Sequence, residues 1–255
     1  MSPNGQAPVV AAPGGPTAMV FGAGRLPPGH WFDEHEHPQH QIAWAARGVI
    51  TVEVGAGRWV LPPTRALWIP GGIAHRTGTY AGAMIRGIYL EPDRTPVRFT
   101  RPTMLRVTRL LRELFDHLTS GTATAAERER AETVIFDLLE PVEVSPLGAQ
   151  LPEDPRARAV ADALIADPAD PRTLTELAAT VAVAPRTLAR AFRTDTGVTF
   201  GHWRTRIRLA ASLPLLAADL PLARIATRVG YATPSAYAAA FRREVGCTPR
   251  EYFTR

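Results

Sequence analysis

Leu174-Thr-Glu-Leu-Ala-Ala-Thr-Val181 followed by Pro185-Arg-Thr-Leu-Ala-Arg-Ala-Phe192 is a passage that the chain writes twice. Leu174, Leu177, Ala178 and Val181 return 48 residues later as Leu222, Ile225, Ala226 and Val229. Pro185, Leu188, Phe192, Gly197 and Thr199 return 49 residues later as Pro234, Tyr237, Phe241, Gly246 and Thr248. The one-residue slip falls between the two sets, where a turn absorbs it. A repeat at this spacing marks a duplicated supersecondary unit. Each copy reads as a short amphipathic helix, a break and a second helix. Pro185 and Pro234 suit a first helical position, Thr233 suits an N-cap, and Gly197 and Gly246 suit a left-handed C-cap. Helix, short turn, helix is the form in which a second helix enters a DNA major groove.

The second helix of the first copy sets Leu188 and Phe192 on one face and Arg186, Arg190 and Arg193 on the other, with Thr187 alongside. Guanidinium groups donate two parallel hydrogen bonds, which matches guanine edges and phosphates. A solvated basic face would look the same on an isolated helix; its place in a duplicated unit favours DNA. The matching positions of the second copy are Ser235 and Ala239, so that helix reads little. With Thr233 at its cap, it can make one hydroxyl contact or touch a thymine methyl through Ser235 and Ala239. It is expected mainly to position the protein through Arg242, Arg243 and its N-terminal amides.

Charge agrees. All 29 cationic side chains are arginine, and the formal net charge is +5. Residues 1–151 hold 14 Arg against 14 acidic residues, while residues 152–255 hold 15 against 10. The basic half expects a polyanion.

The stretches Leu174-Thr-Glu-Leu-Ala178, Gly201-His-Trp-Arg-Thr-Arg-Ile-Arg-Leu-Ala210, Ile225-Ala-Thr-Arg-Val-Gly-Tyr231 and Phe241-Arg-Arg-Glu-Val-Gly-Cys-Thr-Pro-Arg-Glu-Tyr252 resemble the DNA-binding domain of the AraC/XylS family. The resemblance implies seven helices, two helix-turn-helix units and a long connecting helix from about Phe200 to Ala217. Pro214 departs from a regular helix there by removing a hydrogen bond.

The neutral half reads differently. Ile50, Val52 and Val54 alternate with Thr51 and Glu53, and short apolar runs separated by Gly and Pro turns continue to Leu90. This pattern predicts a small sandwich or barrel. Five of the seven histidines lie in the first 75 residues. His35 and His37 alternate on one side of an extended chain, Gln41 shares their parity, and His75 follows Pro70-Gly-Gly. Gly29, His35, His37, position 41 and Gly48, with Pro70, Gly72 and His75, resemble the two cupin motifs. That resemblance implies a divalent transition-metal site at His35, His37, Gln41 and His75. Gln41 stands where the motif usually has Glu, which weakens both a metal and a catalytic role. Three readings stay open: a metal, an organic effector anchored by the histidines, or hydrogen-bonded histidines that sense nothing. Trp44, Trp59, Trp68 and Arg86 are the candidate lining of an effector pocket.

The expected order is a flexible, proline-rich tail (1–28), a cupin-like barrel (29–100), a helical pair (101–140), a linker (141–156) and the DNA-binding domain (157–255). The helical pair follows from Val107, Leu110, Leu111, Leu114, Phe115 and Leu118, and then Ala131, Val134, Ile135, Leu138 and Leu139. Its stripe either pairs two copies as a homodimer or packs as internal core. The fold class is therefore α+β and multidomain. No apolar run approaches the roughly 20 residues of a membrane span. The single Cys247 excludes an internal disulfide. With no secretory leader pattern, a cytoplasmic location is expected. The function expected is a transcription regulator, activator or repressor, that binds double-stranded DNA under effector control and is not an enzyme. The alternative is a metal-dependent cupin enzyme fused to a DNA-binding domain.

Overall fold

Strand β3 (His40–Gly48) runs through the middle of the first domain and sorts its side chains onto two faces. In this computed structural model, which describes residues 9–10, 18–55, 57–97, 99–142 and 150–254, the strands before it are β1 (Val9–Val10) and β2 (Met19–Leu26). After it come β4 (Ile50–Val54), β5 (Gly57–Leu61), β6 (Arg65–Ile69), β7 (His75–Gly78), β8 (Ala83–Leu90) and β9 (Thr103–Arg106). They form an antiparallel six-stranded sheet ordered β1-β2-β8-β3-β6-β9 and a three-stranded sheet ordered β5-β4-β7. Among the described residues these two sheets do not close into a barrel. Residues 30–36 run beside β7 through the single bridges Trp31–Gly78 and His35–His75, not as a continuous ladder.

The flexible tail expected over 1–28 needs correction as well. Residues 17–26 are free of proline, and within them Met19 and Phe21 alternate inward on β2, which pairs along its whole length with β8. Prolines on both sides dominate the composition and hide an eight-residue strand.

Ile42 and Trp44 of β3, Ala66 and Trp68 of β6, and Ile88 and Leu90 of β8 share one face of the large sheet. Helices α1 (Arg109–Thr119) and α2 (Ala125–Asp137) cover that face. Phe115 meets Phe21 and Trp44 edge-on at ring separations of 5.3 and 5.0 Å. Leu111, Phe115, Leu118, Ala131 and Ile135 are buried there, so most of the apolar stripe is internal core. Each large side chain so buried contributes about 1.5–3 kcal/mol. Leu110 and Val134 stay exposed.

Apart from residues 55–60, the chain divides in sequence at Val144 into two compact units. Of the expected linker, 143–149 lie outside the described residues. Pro141 bridges to Leu105, and residues 155 and 156 already belong to α3 (Pro155–Ala166), which Asp154 caps. The helical domain continues with α4 (Leu174–Thr180), α5 (Pro185–Thr196), α6 (Phe200–Ala217), α7 (Leu222–Arg228), α8 (Pro234–Val245) and α9 (Pro249–Thr254). Seven helices are thus present among the described residues of this domain, and α6 has the expected bounds with Pro214 in its last turn.

The repeat is structural. Helices α4 and α7 begin 48 residues apart, and α5 and α8 begin 49 apart. Thr233 caps α8 by accepting from the Ala236 amide, and Gly197 and Gly246 sit at φ of 72° and 82° as left-handed caps. The turn within each unit needs the same left-handed backbone. Gly230 supplies it in the second copy at φ 81°, whereas Ala182 bears it in the first at φ 52°. An L-residue there costs about 1–2 kcal/mol, and the surrounding packing sustains it. Leu188 and Phe192 anchor α5 in a core with Leu164, Leu177, Phe200 and Trp203, while Tyr237 and Phe241 anchor α8.

Candidate functional site

Two groups of residues carry the chemistry, one in each domain. In the helical domain, Leu188 and Phe192 point inward, so the helical period turns Arg186, Arg190 and Arg193 outward. All three are exposed, and no acidic partner holds them among the described residues. Thr187 is half-buried beside them. On α8, Ser235, Ala239, Arg242 and Arg243 are exposed, with Thr233 engaged as the cap. Arg243 lies 3.9 Å from Glu244, which also meets His202 of α6 at 2.6 Å.

Two further residues escape a reading confined to the second helices. Arg224 and Arg228, one turn apart on α7, are exposed. Their equivalents on α4 are Glu176 and Thr180, so the repeat itself carries the signal. Conversely, not all of the basic excess faces outward. Arg208 donates to the Pro168 and Asp170 carbonyls at 2.9 and 3.1 Å, and Arg204 donates to the Arg172 and Asp170 carbonyls. These two bind the loop that precedes α4. A Cβ on Gly230 would meet the Arg208 guanidinium at 2.7 Å, a second reason for glycine at that turn.

In the sheet domain, His35, His37 and His75 converge, with one ring nitrogen from each lying within 4.8 Å of the other two. Small ring rotations bring three such atoms to a first-row ion at its bond length of about 2.1 Å. Each ring is tethered from behind by one hydrogen bond, about which it can still turn slightly. Nδ1 of His35 donates to the Asp33 carbonyl at 2.7 Å, Nδ1 of His37 to Gln39 at 2.9 Å, and Nδ1 of His75 to Ile73 at 2.8 Å. A carbonyl oxygen only accepts, so each Nδ1 carries the hydrogen, and in a neutral ring Nε2 is bare. Burial lowers the His37 pKa and lowers that of His75 to about 4, so both rings are neutral at pH 7.

Gln41 completes the cluster. Its Oε1 lies 2.9 Å from Nε2 of His75 and 3.4 Å from Nε2 of His37, while its Nε2 donates to the Tyr89 hydroxyl at 3.2 Å. Lone pairs of Nε2 and Oε1 thus face one another, which is unfavourable unless a cation lies between them or the amide turns over. The donor set, three imidazole nitrogens and one amide oxygen, fits a first-row divalent ion. Backbone carbonyls behind each imidazole are the outer support that metal-binding histidines use.

Of the expected effector-pocket residues, Trp44, Trp68 and Arg86 lie on the helix-covered side rather than beside this cluster. On β3, Gln41 and Trp44 differ by an odd number of positions and so take opposite faces. Trp44 and Trp68 are fully buried against the helices, and Arg86 pairs with Asp116 of α1 and lies 4.8 Å over the Phe115 ring. Trp59 is half-buried on β5.

A sheet domain holding a ligand-ready cluster, joined in one chain to a duplicated helix-turn-helix, defines a ligand-responsive DNA-binding regulator. Residues 19–139 match the family described as AraC-like ligand binding domain, and residues 177–255 match the helix-turn-helix domain family. The HTH-type transcriptional regulator NimR of Escherichia coli is 30% identical over 226 residues, covering 87% of this chain and 82% of that protein. RipA of Corynebacterium glutamicum is 41% identical over 104 residues, which are 41% of this chain and 31% of that protein. Among solved structures, ToxT from Vibrio cholerae O395 aligns with a TM-score of 0.39 at 10% identity, over 93% of this chain and 97% of that one. The chain belongs to the AraC family of helix-turn-helix transcriptional regulators, with a ligand-binding domain and a DNA-binding domain.

Proposed function

We propose that this regulator reads double-stranded DNA chiefly with α5 and answers to a divalent transition metal held by His35, His37, Gln41 and His75. The observation that carries the metal reading is the convergence of His35, His37 and His75, with the Nε2 atoms of His37 and His75 both close to the Gln41 amide oxygen. The site binds and does not catalyse, because Gln41 supplies no base at the position nearest the cluster. A metal-free site with the Gln41 amide turned over is the competing state, and metal retention separates the two. Among the described residues no helix is long and apolar enough to cross a membrane, in keeping with action on DNA in the cytoplasm. Leu110 and Val134, exposed on the helical pair, are the apolar positions available to a second copy in a homodimer.

On DNA the two units divide the work. Arg186, Thr187, Arg190 and Arg193 face base edges and the adjoining backbone. The second unit holds phosphates through Arg224, Arg228, Arg242 and Arg243, with Thr233, Ser235 and Ala239 close to the groove. A phosphate contact releases about one counterion, so its loss lowers the salt dependence of binding without changing sequence preference. Arg224→Ala and Arg228→Ala are therefore expected each to reduce the slope of log K against log salt by about 1. Titration of a labelled duplex by fluorescence anisotropy at several salt concentrations measures this. Unchanged slopes would remove α7 from the interface.

A further inference from the structure

The donor set at the histidine cluster is uncharged. Three imidazoles and an amide supply lone pairs but no negative charge. Among the described residues, the cluster brings together His35, His37 and His75 and no carboxylate. Tyr89 holds Gln41 by accepting a hydrogen bond from its amide at 3.2 Å. The nearest acidic side chains along the chain, Asp33, Glu34 and Glu36, are exposed, and Glu91 accepts from Gln39 at 3.2 Å. His75 and His37 are buried, while His35 is half-exposed and leaves one side of the cluster open to solvent.

A divalent ion in this shell would keep nearly its whole double charge in a largely desolvated place. Such a charge is costly without a counter-charge close by. Four donors also leave coordination positions free on an ion that accepts up to six. Charge deficit and open position call for the same thing, an anionic oxygen or nitrogen donor from outside the protein.

We infer, on the metal reading above, that the effector of this regulator is a small organic anion which binds at the metal through a carboxylate or enolate oxygen, reached from the His35 side. Gln41 is the residue that makes the site demand that anion. A glutamate in its place would cancel one charge from within, bind the ion more tightly and weaken the need for an external partner. The chain would then respond to metal and anion jointly, and Gln41 would act as a specificity-determining residue.

The test uses the full chain, stripped of metal and loaded with Co2+, whose visible absorption reports its ligands. Azide and acetate serve as anionic probes and acetamide as the neutral match for acetate. The expected result is a saturable change in the cobalt bands with azide and with acetate and none with acetamide. In Gln41→Glu the azide dissociation constant is expected to rise at least tenfold, about 1.4 kcal/mol, while cobalt is held more tightly. A cobalt spectrum indifferent to azide in the native chain overturns the inference, and so does an equal azide affinity in Gln41→Glu. The native titration decides the matter even if Gln41→Glu does not fold. Failure to bind cobalt, or cobalt binding unaffected by His75→Ala, overturns the metal reading itself. The two failures are thus told apart.

Discussion

Arg190→Ala weakens binding to the preferred operator by about 1–3 kcal/mol, roughly 5- to 150-fold, and relaxes the preference at one base pair. The expectation rests on how α5 is held. Leu188 and Phe192 lock the helix into its core, and Phe192 meets the rings of Phe200 and Trp203 edge-on at 5.1 and 5.0 Å. A helix fixed on that side cannot roll, so Arg190 has one outward direction. It stands one turn from Arg186, in the half of a recognition helix that meets base edges. No acidic side chain holds either of them among the described residues, so docking breaks no ion pair. Selection of duplexes from a random pool, followed by affinity measurement on the selected site and its single-base variants, checks the result. A loss shared equally by every duplex would make Arg190 a phosphate contact.

His75→Ala is expected to abolish retention of a divalent metal. His75 is 1% exposed, its Nδ1 is fixed by Ile73, and its Nε2 lies nearest Gln41. Loss of an outer-shell partner alone reduces metal affinity about 10–100-fold, and loss of a ligand reduces it further. The native chain, purified without chelator, should carry close to one first-row divalent ion, and His75→Ala almost none. Elemental analysis after gel filtration reads both, and thermal melting of the metal-free proteins checks that the variant folds. Less than about a tenth of an ion per native chain would contradict the metal reading, since binding at a preformed site outlasts gel filtration.

The two domains were not equally legible from sequence. Signals in the helical domain are local: Pro185 and Pro234 at helix starts, Gly197 and Gly246 at helix ends, and apolar pairs four apart. The repeat confirms each one, which is why both units match; the bounds of α6 came from the family resemblance. Internal use of Arg204 and Arg208 was not visible, because it depends on loop carbonyls some forty residues away. The sheet domain depends on pairings that sequence does not record. Strand β2 lay hidden between prolines, and whether a sheet closes is a matter of which edges meet. The histidine cluster was legible because His35, His37, Gln41 and His75 follow the cupin spacing, although a bend at residues 38 and 39 separates His37 from β3. By strand parity Trp44, three positions from Gln41, belongs to the opposite face. Its assignment to the pocket overlooked a signal that was present. Tyr89 as the support of Gln41 required the β3–β8 register, in which the two residues stand opposite.

Occupancy of the sheet domain must alter how the helical domain holds DNA, for that coupling is what makes the protein a regulator. Ligand control requires different affinities in two states, typically differing by about 1–3 kcal/mol, or 5- to 150-fold. The most direct measurement is operator affinity of the full chain, metal-loaded and metal-stripped, on the selected duplex at one fixed salt concentration. A difference of at least about fivefold, absent in His75→Ala, is the predicted result. Equal affinities for the two forms would contradict the account.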